Sequence, residues 1–170
     1  MKVTLDTKFK LIDTYDLEYV YLAVYLIGMG RVYLSINANA MRAGARVDRP
    51  DQQVYKVMDP NGKSNAPYVL LANVGWAGKF NRAQRAAFNT DEGMAKVLVE
   101  TILVGCVFGP IIAVTSLLGV CFRIKYALGY TEAPKSRRTG IQLVRLVEGC
   151  HSGLVLLIAI KATAGSYIPF

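Results

Sequence analysis

The sequence is poor in the side chains that bind transition metals. One histidine and three cysteines occur in 170 residues. The cysteines, Cys106, Cys121 and Cys150, stand in separate apolar stretches and lack the spacing of metal ligands. This composition excludes a catalytic centre that needs two histidines, and we expect the cysteines to be packed thiols.

Charged residues are also scarce, at 19% of the chain against 53% hydrophobic residues. This balance, with the apolar residues clustered, is typical of a membrane protein, and we predict one membrane domain over residues 1–170 in contact with a lipid bilayer. Residues 1–15 lack the apolar core and cleavage site of a signal peptide. The net charge of +8 does not indicate a nucleic-acid partner, because the cations lie beside the predicted membrane ends.

Four stretches are long enough to cross a bilayer as helices. We predict these spans at about residues 19–41, 80–108, 111–130 and 140–162. Lysine and arginine are frequent in the connecting loops, residues 44–79 and 131–139, which places both loops on the same side of the membrane. The predicted fold class is therefore all-α, an integral membrane four-helix transmembrane bundle. Small residues in the first span favour close helix packing, namely Gly28, Gly30, Ala38 and Ala40.

Hydropathy leaves the region around Gly109-Pro110 open to two interpretations. The pair is either a kink within one span or a tight turn between two antiparallel helices. Composition does not distinguish the kink from the turn.

Charged side chains within the predicted spans need partners. Arg31 lies near the middle of the first span, where a charge costs about 2.5–3.5 kcal/mol on insertion scales. We expect it to pair with a carboxylate on another helix. In the fourth span Arg145, Glu148 and His151 recur every three residues, which favours a local ion pair facing the bundle, with a proton relay as the alternative.

A polar stripe marks the start of the second span. Arg82, Arg85, Asn89 and Glu92 follow at spacings of three, four and three, so they share one helix face. Guanidinium groups bind carboxylates in a bidentate manner, and a carboxylate can bind an ammonium group. The stripe is complementary to a ligand that carries both groups, although a solvated basic helix face is the alternative interpretation.

The stripe resembles the helix-two signature of the MAPEG superfamily, the membrane-associated proteins of eicosanoid and glutathione metabolism. That signature is Arg-x-x-Arg-Ala-x-x-Asn-x-x-Glu. A second block, Arg-x-x-Tyr-x-x-Gly-Tyr at residues 123–130, resembles the end of the family's third helix. The superfamily includes microsomal glutathione transferases, prostaglandin E synthase and leukotriene C synthase. The resemblance implies a turn at Gly109-Pro110 and a homotrimer.

The resemblance also implies glutathione as co-substrate and a lipophilic second substrate that enters from the bilayer. The expected function is that of a glutathione-dependent transferase or peroxidase acting on lipophilic electrophiles or lipid hydroperoxides. In the family, the helix-three end faces the helix-two stripe of a neighbouring protomer. The residues implied in glutathione binding are Arg42, Arg82, Arg85, Asn89, Glu92, Arg123, Tyr126 and Tyr130. The sulfur-activating arginine is Arg137 without an alignment gap, or Arg138 with one.

Two positions depart from the family pattern. Ala87 and Gly93 stand where relatives often carry larger polar or aromatic residues, which predicts fewer contacts to glutathione. The alternative function is therefore a non-catalytic structural subunit that docks on neighbouring subunits of a larger membrane complex. The resemblance implies the endoplasmic reticulum as the location, and an organelle membrane is the alternative.

Overall fold

The structure is a computed structural model that describes residues 17–56 and 71–164. These residues form four long helices and one short helix, and the described part of the chain contains no β-strand beyond one bridge between Tyr55 and Leu71. The helices are α1 (Leu17–Ala40), α2 (Arg42–Ala45), α3 (Gly75–Gly105), α4 (Gly109–Glu132) and α5 (Arg138–Ala164).

The four long helices pack as one bundle, which confirms the predicted all-α fold class. Helix α4 contacts α1, α3 and α5, and α3 also contacts α1 and α5. One end of the bundle, here called the loop end, comprises α2, the start of α3, the end of α4 and the start of α5. The opposite end, here called the hairpin end, contains the connection from α3 to α4.

Three helical segments are long and apolar enough to cross a membrane: Leu17–Ala45, Gly109–Glu132 and Arg138–Ala164. This result, together with the bundle, supports an integral membrane protein. Helix α3 falls outside that group because its first half carries the polar stripe. Its second half still carries Lys96 and Glu100 among apolar residues, and Val104 packs with Ile112 of α4 in the core at the hairpin end.

The α3–α4 connection is a tight hairpin, so the turn interpretation is confirmed and the kink is wrong. Helix α3 ends at Gly105 and α4 begins at Gly109, with Pro110 in its first turn, where a backbone N–H has no partner within the helix. Gly105 packs against α1. A Cβ atom there would lie 2.5 Å from Cγ2 of Val20, so only glycine fits without movement.

Close packing by small residues holds at two of the four predicted positions. Gly30 and Ala38 are buried, and a Cβ atom on Gly30 would lie 2.8 Å from Cγ1 of Val120. Gly28 and Ala40 are exposed on the outer face of α1, so the prediction is wrong for them within one chain.

Arg82 joins α3 to the end of α4 at the loop end. Its guanidinium donates to the carbonyl oxygens of Tyr130, Thr131 and Glu132 over 2.9–3.1 Å. It also donates to the carbonyl oxygen of Asn73 at 2.9 Å. The last carbonyls of a helix have no partner within it, so Arg82 satisfies the C-terminus of α4 and complements its dipole.

Ion pairs join the long helices of the bundle. Arg31 of α1 forms a bidentate ion pair with Asp91 of α3, which confirms the expected pairing with a carboxylate on another helix. The predicted local pair of Arg145 with Glu148 is wrong, because Glu148 binds Arg123 of α4 instead. Residues three apart on a helix lie on the same face, but the Glu148 carboxylate pairs with Arg123 on the adjacent helix α4.

All three cysteines are exposed on the chain, so the prediction of packed thiols is wrong. Apolar residues in a membrane bundle cover the outward face as well as the packed face. Apolar neighbours in the sequence therefore do not indicate that a cysteine is buried within its own chain.

Candidate functional site

A cleft of about 510 Å³ lies between α3, α4 and α5 at the loop end. Its polar lining residues are Asn89, Lys96, Arg123, Tyr126, Arg137, Arg138, Arg145 and Glu148. Five of these side chains are cationic and one is anionic. A concave, partly desolvated surface with this charge balance attracts anions strongly, so the cleft suits an anionic ligand.

Tyr126 is held rigidly at the side of the cleft. Its side chain is buried, and Nδ2 of Asn89 donates to its hydroxyl oxygen at 2.7 Å. Gly140 of α5 packs on its backbone, since a Cβ atom there would lie 2.5 Å from Cα of Tyr126. Because the phenolic oxygen already accepts a hydrogen bond from Asn89, its own proton remains available to donate to a ligand.

The loop between α4 and α5 is positioned by aromatic contacts. The ring of Tyr130 stacks on the ring of Tyr126 with centroids 5.9 Å apart. The guanidinium of Arg137 lies 4.8 Å from the centroid of the Tyr130 ring, a cation–π geometry. Tyr130 does not line the cleft itself. Its ring fixes the orientation of the Arg137 side chain, which does line the cleft.

Arg123 and Glu148 form the wall between two cavities. Their ion pair lines the cleft on one side and a smaller interior cavity of about 60 Å³ on the other. The interior cavity also contains His151, whose Nε2 lies 2.7 Å from Oγ1 of Thr115. The charged pair therefore lies between the cationic cleft and a smaller, largely apolar cavity of the bundle.

Half of the predicted site residues meet in this cleft within one chain: Asn89, Arg123, Tyr126, Arg137 and Arg138. The resemblance implies that the helix-two stripe and the helix-three end approach each other from neighbouring protomers. The hydrogen bond between Asn89 and Tyr126 joins part of the stripe to that end within the same chain.

The other predicted residues lie outside the cleft. Arg85 and Glu92 form an exposed ion pair at 3.3 Å on the outer face of α3. Arg42 donates to the carbonyl oxygens of Asp48 and Asp51 and lies over the ring of Phe80. The structure thus gives Arg42, like Arg82, a structural role at the loop end.

Sequence reasoning missed three cleft residues as a site: Lys96, Arg145 and Glu148. A signal was present in α5, where residues 138, 141, 145 and 148 follow at spacings of three, four and three and line the cleft together. That spacing matches the one that identified the stripe on α3. Because Arg145 and Glu148 were predicted to pair with each other, this shared helix face was not assigned to a site.

The two departures from the family pattern differ in consequence. Ala87 is buried in the core with Leu34 and Ala127 and does not line the cleft, and the expected loss of glutathione contacts at this position stays a prediction. Gly93 does line the cleft, and a Cβ atom there would lie 3.9 Å from Nη2 of Arg123. Glycine at this position leaves room beside the Arg123 guanidinium.

A helical membrane bundle with a cationic cleft at one end defines the class of protein, and comparison defines the family. The sequence profile described as the MAPEG family matches residues 20–157. No curated protein matches the chain significantly. Because the matched region covers most of the sequence, including all four long helices in whole or in large part, the chain belongs to the MAPEG family.

Proposed function

We propose that this protein is a glutathione-dependent membrane transferase or peroxidase that acts on lipophilic electrophiles or lipid hydroperoxides. The observation that carries the proposal is the cationic cleft of about 510 Å³ at the loop end. Its volume lies within the range of small-molecule sites, about 300–1,000 Å³. Membership of a family that includes glutathione-dependent transferases supports the same assignment.

Glutathione would bind through its two carboxylates and its sulfur. We assign the carboxylates to Arg123, Arg138 and the Tyr126 hydroxyl, which line the cleft, and Asn89 orients Tyr126. Arg85 and Glu92 face outwards on α3, and in the proposed homotrimer they would reach glutathione bound to a neighbouring protomer. Arg42 and Arg82 would act by holding the loop end together.

Catalysis requires the thiolate form of glutathione. A free thiol has a pKa of about 8.5, so a few per cent is ionised at neutral pH. Each unit by which the thiol pKa falls requires about 1.4 kcal/mol of selective stabilisation of the anion. We assign this role to Arg137 rather than Arg138, because the Tyr130 ring holds its guanidinium in place before the ligand arrives.

The reacting partner would arrive from the lipid. In the transferase reaction the thiolate sulfur would attack an electrophilic carbon and displace its leaving group. In the peroxidase reaction it would attack the terminal oxygen of a hydroperoxide and break the O–O bond, and the lipid alkoxide would take up a proton and leave as the alcohol. A second glutathione would then react with the resulting sulfenic acid to give glutathione disulfide and water. Exposed apolar side chains cover the outer faces of α1, α4 and α5, which suits a bilayer environment around the bundle.

Mixing purified protein with glutathione tests the proposal directly. We expect saturable binding and an increase in thiolate absorbance at neutral pH. Absence of binding at millimolar glutathione would contradict the proposed function.

The rival function is a structural subunit of a larger membrane complex. Two observations favour it: the Arg123 guanidinium is already neutralised by Glu148, and Gly93 contributes no side chain to the cleft. Docking of such a subunit would use residues 1–15, a segment that lies outside the described residues. Extraction in mild detergent separates the two functions, because a free trimer supports the enzyme and stable co-purification with other subunits supports the scaffold. Membrane fractionation in the same experiment tests the proposed endoplasmic reticulum location.

A further inference from the structure

Glu148 is the only carboxylate that lines the cleft among the residues the structure describes. It stands among five cationic side chains, of which Arg137, Arg138 and Arg145 have no carboxylate partner in the described part of the chain. The cleft thus offers several partners for anionic groups of a ligand and a single anionic partner for a cationic group.

Glutathione carries both kinds of charge. At neutral pH it has two carboxylates and one α-ammonium group. An ammonium group in a cleft lined by cations alone would be repelled, and the repulsion would be strong where solvent is partly excluded. Binding of this zwitterionic end therefore requires a carboxylate close to the cationic side chains.

The carboxylate of Glu148 has capacity for this contact. Its Oε1 accepts a hydrogen bond from Nη2 of Arg123, and no other hydrogen bond to the carboxylate occurs among the described residues. An ionised carboxylate accepts about four hydrogen bonds, so Oε2 remains open to a second donor. Its side chain is 30% exposed, and Arg123 fixes its orientation.

Glu92 is the alternative partner for the ammonium group, because the family resemblance implies that it binds glutathione. Within the chain it lies outside the cleft, is 60% exposed and pairs with Arg85. Its contact with a ligand in this cleft would need a second protomer, whereas Glu148 is already in place.

We infer that Glu148 binds the α-ammonium group of glutathione and selects for the zwitterionic γ-glutamyl end. The inference rests on the proposed function and adds a binding residue on α5, opposite the polar stripe of α3. Arg123 positions the Glu148 carboxylate, and the two residues together match the adjacent carboxylate and ammonium of the ligand.

Two ligands and two matched variants test the inference. Dissociation constants for glutathione and for its desamino analogue, which lacks only the α-amino group, are measured by calorimetry in detergent. Glu148→Gln keeps the shape of the side chain and removes its charge. Asp91→Asn is the control, because it also removes a carboxylate from an arginine ion pair but lies outside the cleft. Thermal melting and size-exclusion elution establish that each variant folds.

We expect the parent to prefer glutathione over the analogue by roughly tenfold or more, the usual range for a hydrogen bond between charged groups. Glu148→Gln should abolish this preference by weakening glutathione binding alone, and Asp91→Asn should keep the preference. Glu148→Asp, which retains the carboxylate, should keep part of it, and this variant serves if Glu148→Gln does not fold.

Three outcomes overturn the inference. An unchanged preference in Glu148→Gln does so, and a loss of preference in Glu92→Gln would then assign the ammonium group to the stripe. An equal loss of affinity for both ligands in Glu148→Gln identifies a structural role. Failure of the parent to bind either ligand overturns the proposed function as well, which separates that result from the first two.

Discussion

The two ends of the bundle are built by different means. At the loop end, charged and polar side chains bind backbone groups of other elements, as Arg82 does at the end of α4. At the hairpin end, apolar side chains and glycines hold the helices together, as at Gly105 against Val20. Hydrogen bonds fix the orientation of the side chains that form them, whereas close packing fixes the distance between helices. The cleft lies at the loop end, where hydrogen bonds fix the orientation of the side chains.

The largest effect should follow from breaking the loop end at Arg82. Arg82→Ala leaves the carbonyl oxygens at the end of α4 without their donor, and we expect a loss of about 3 kcal/mol in stability, since hydrogen bonds from charged groups contribute about 1.5–3 kcal/mol each. Thermal unfolding in detergent measures it. Lys125→Ala, which removes an exposed cation of α4, is the control. Equal melting temperatures for the two variants would show that the Arg82 contacts do not hold this end.

A smaller loss is expected from breaking the hairpin end. Gly105→Ala places a methyl group 2.5 Å from Cγ2 of Val20, and overpacking of this kind costs about 1–3 kcal/mol. Glutathione affinity should stay unchanged below the melting temperature, because the cleft lies at the other end. Gly28→Ala adds the same methyl group in open space and should not destabilise the protein. A change in affinity with Gly105→Ala would show that the two ends are coupled.

Arg137→Ala tests the chemistry of the loop end rather than its stability. The thiol pKa of bound glutathione should rise by about one unit, equivalent to about 1.4 kcal/mol, with affinity nearly unchanged. Since a higher pKa means less thiolate at neutral pH, kcat should fall about tenfold there and recover partly as pH rises. Thiolate absorbance and kcat against pH measure both effects.

The matched variant Arg138→Ala distinguishes between the adjacent arginines. Arg138 makes no contact with the Tyr130 ring, so its loss should weaken glutathione binding and leave the thiol pKa in place. If the two variants both match the parent at every pH, the loop has no role in activating sulfur.

The smallest effect on stability is expected at the exposed stripe. Arg85→Gln removes an ion pair whose members are 55% and 60% exposed, and such surface pairs contribute about 0–1 kcal/mol. The melting temperature should therefore barely change. A clear loss of glutathione binding or of the trimer in the same variant would place this face at a subunit boundary, and retention of both would make the stripe a solvated helix face.

Hydropathy and the two motif blocks predicted the helices, the hairpin and the partner type of Arg31. The helices and the partner of Arg31 depend on the length and composition of segments, which the sequence contains directly, whereas composition left the hairpin open and the family resemblance implied it. The cleft depends on which helix faces meet, and Glu148 illustrates the difference. Its spacing from Arg145 was visible in the sequence, but its partner Arg123 lies 25 residues earlier and is brought close only by packing of α4 on α5. The same limit explains the cysteines, since apolar runs do not distinguish packed faces from outward faces.

The pairing of Arg31 with Asp91 has a consequence for synthesis. The two residues are 60 positions apart, so α1 leaves the ribosome well before its partner carboxylate exists. At about 5–20 residues per second, the interval is roughly 3–12 s. During this time α1 must enter the bilayer with an unmatched charge, at a cost of about 2.5–3.5 kcal/mol. The nascent chain therefore depends on the apolar residues of α1 to retain it until α3 arrives, and bundle assembly has a fixed order in time.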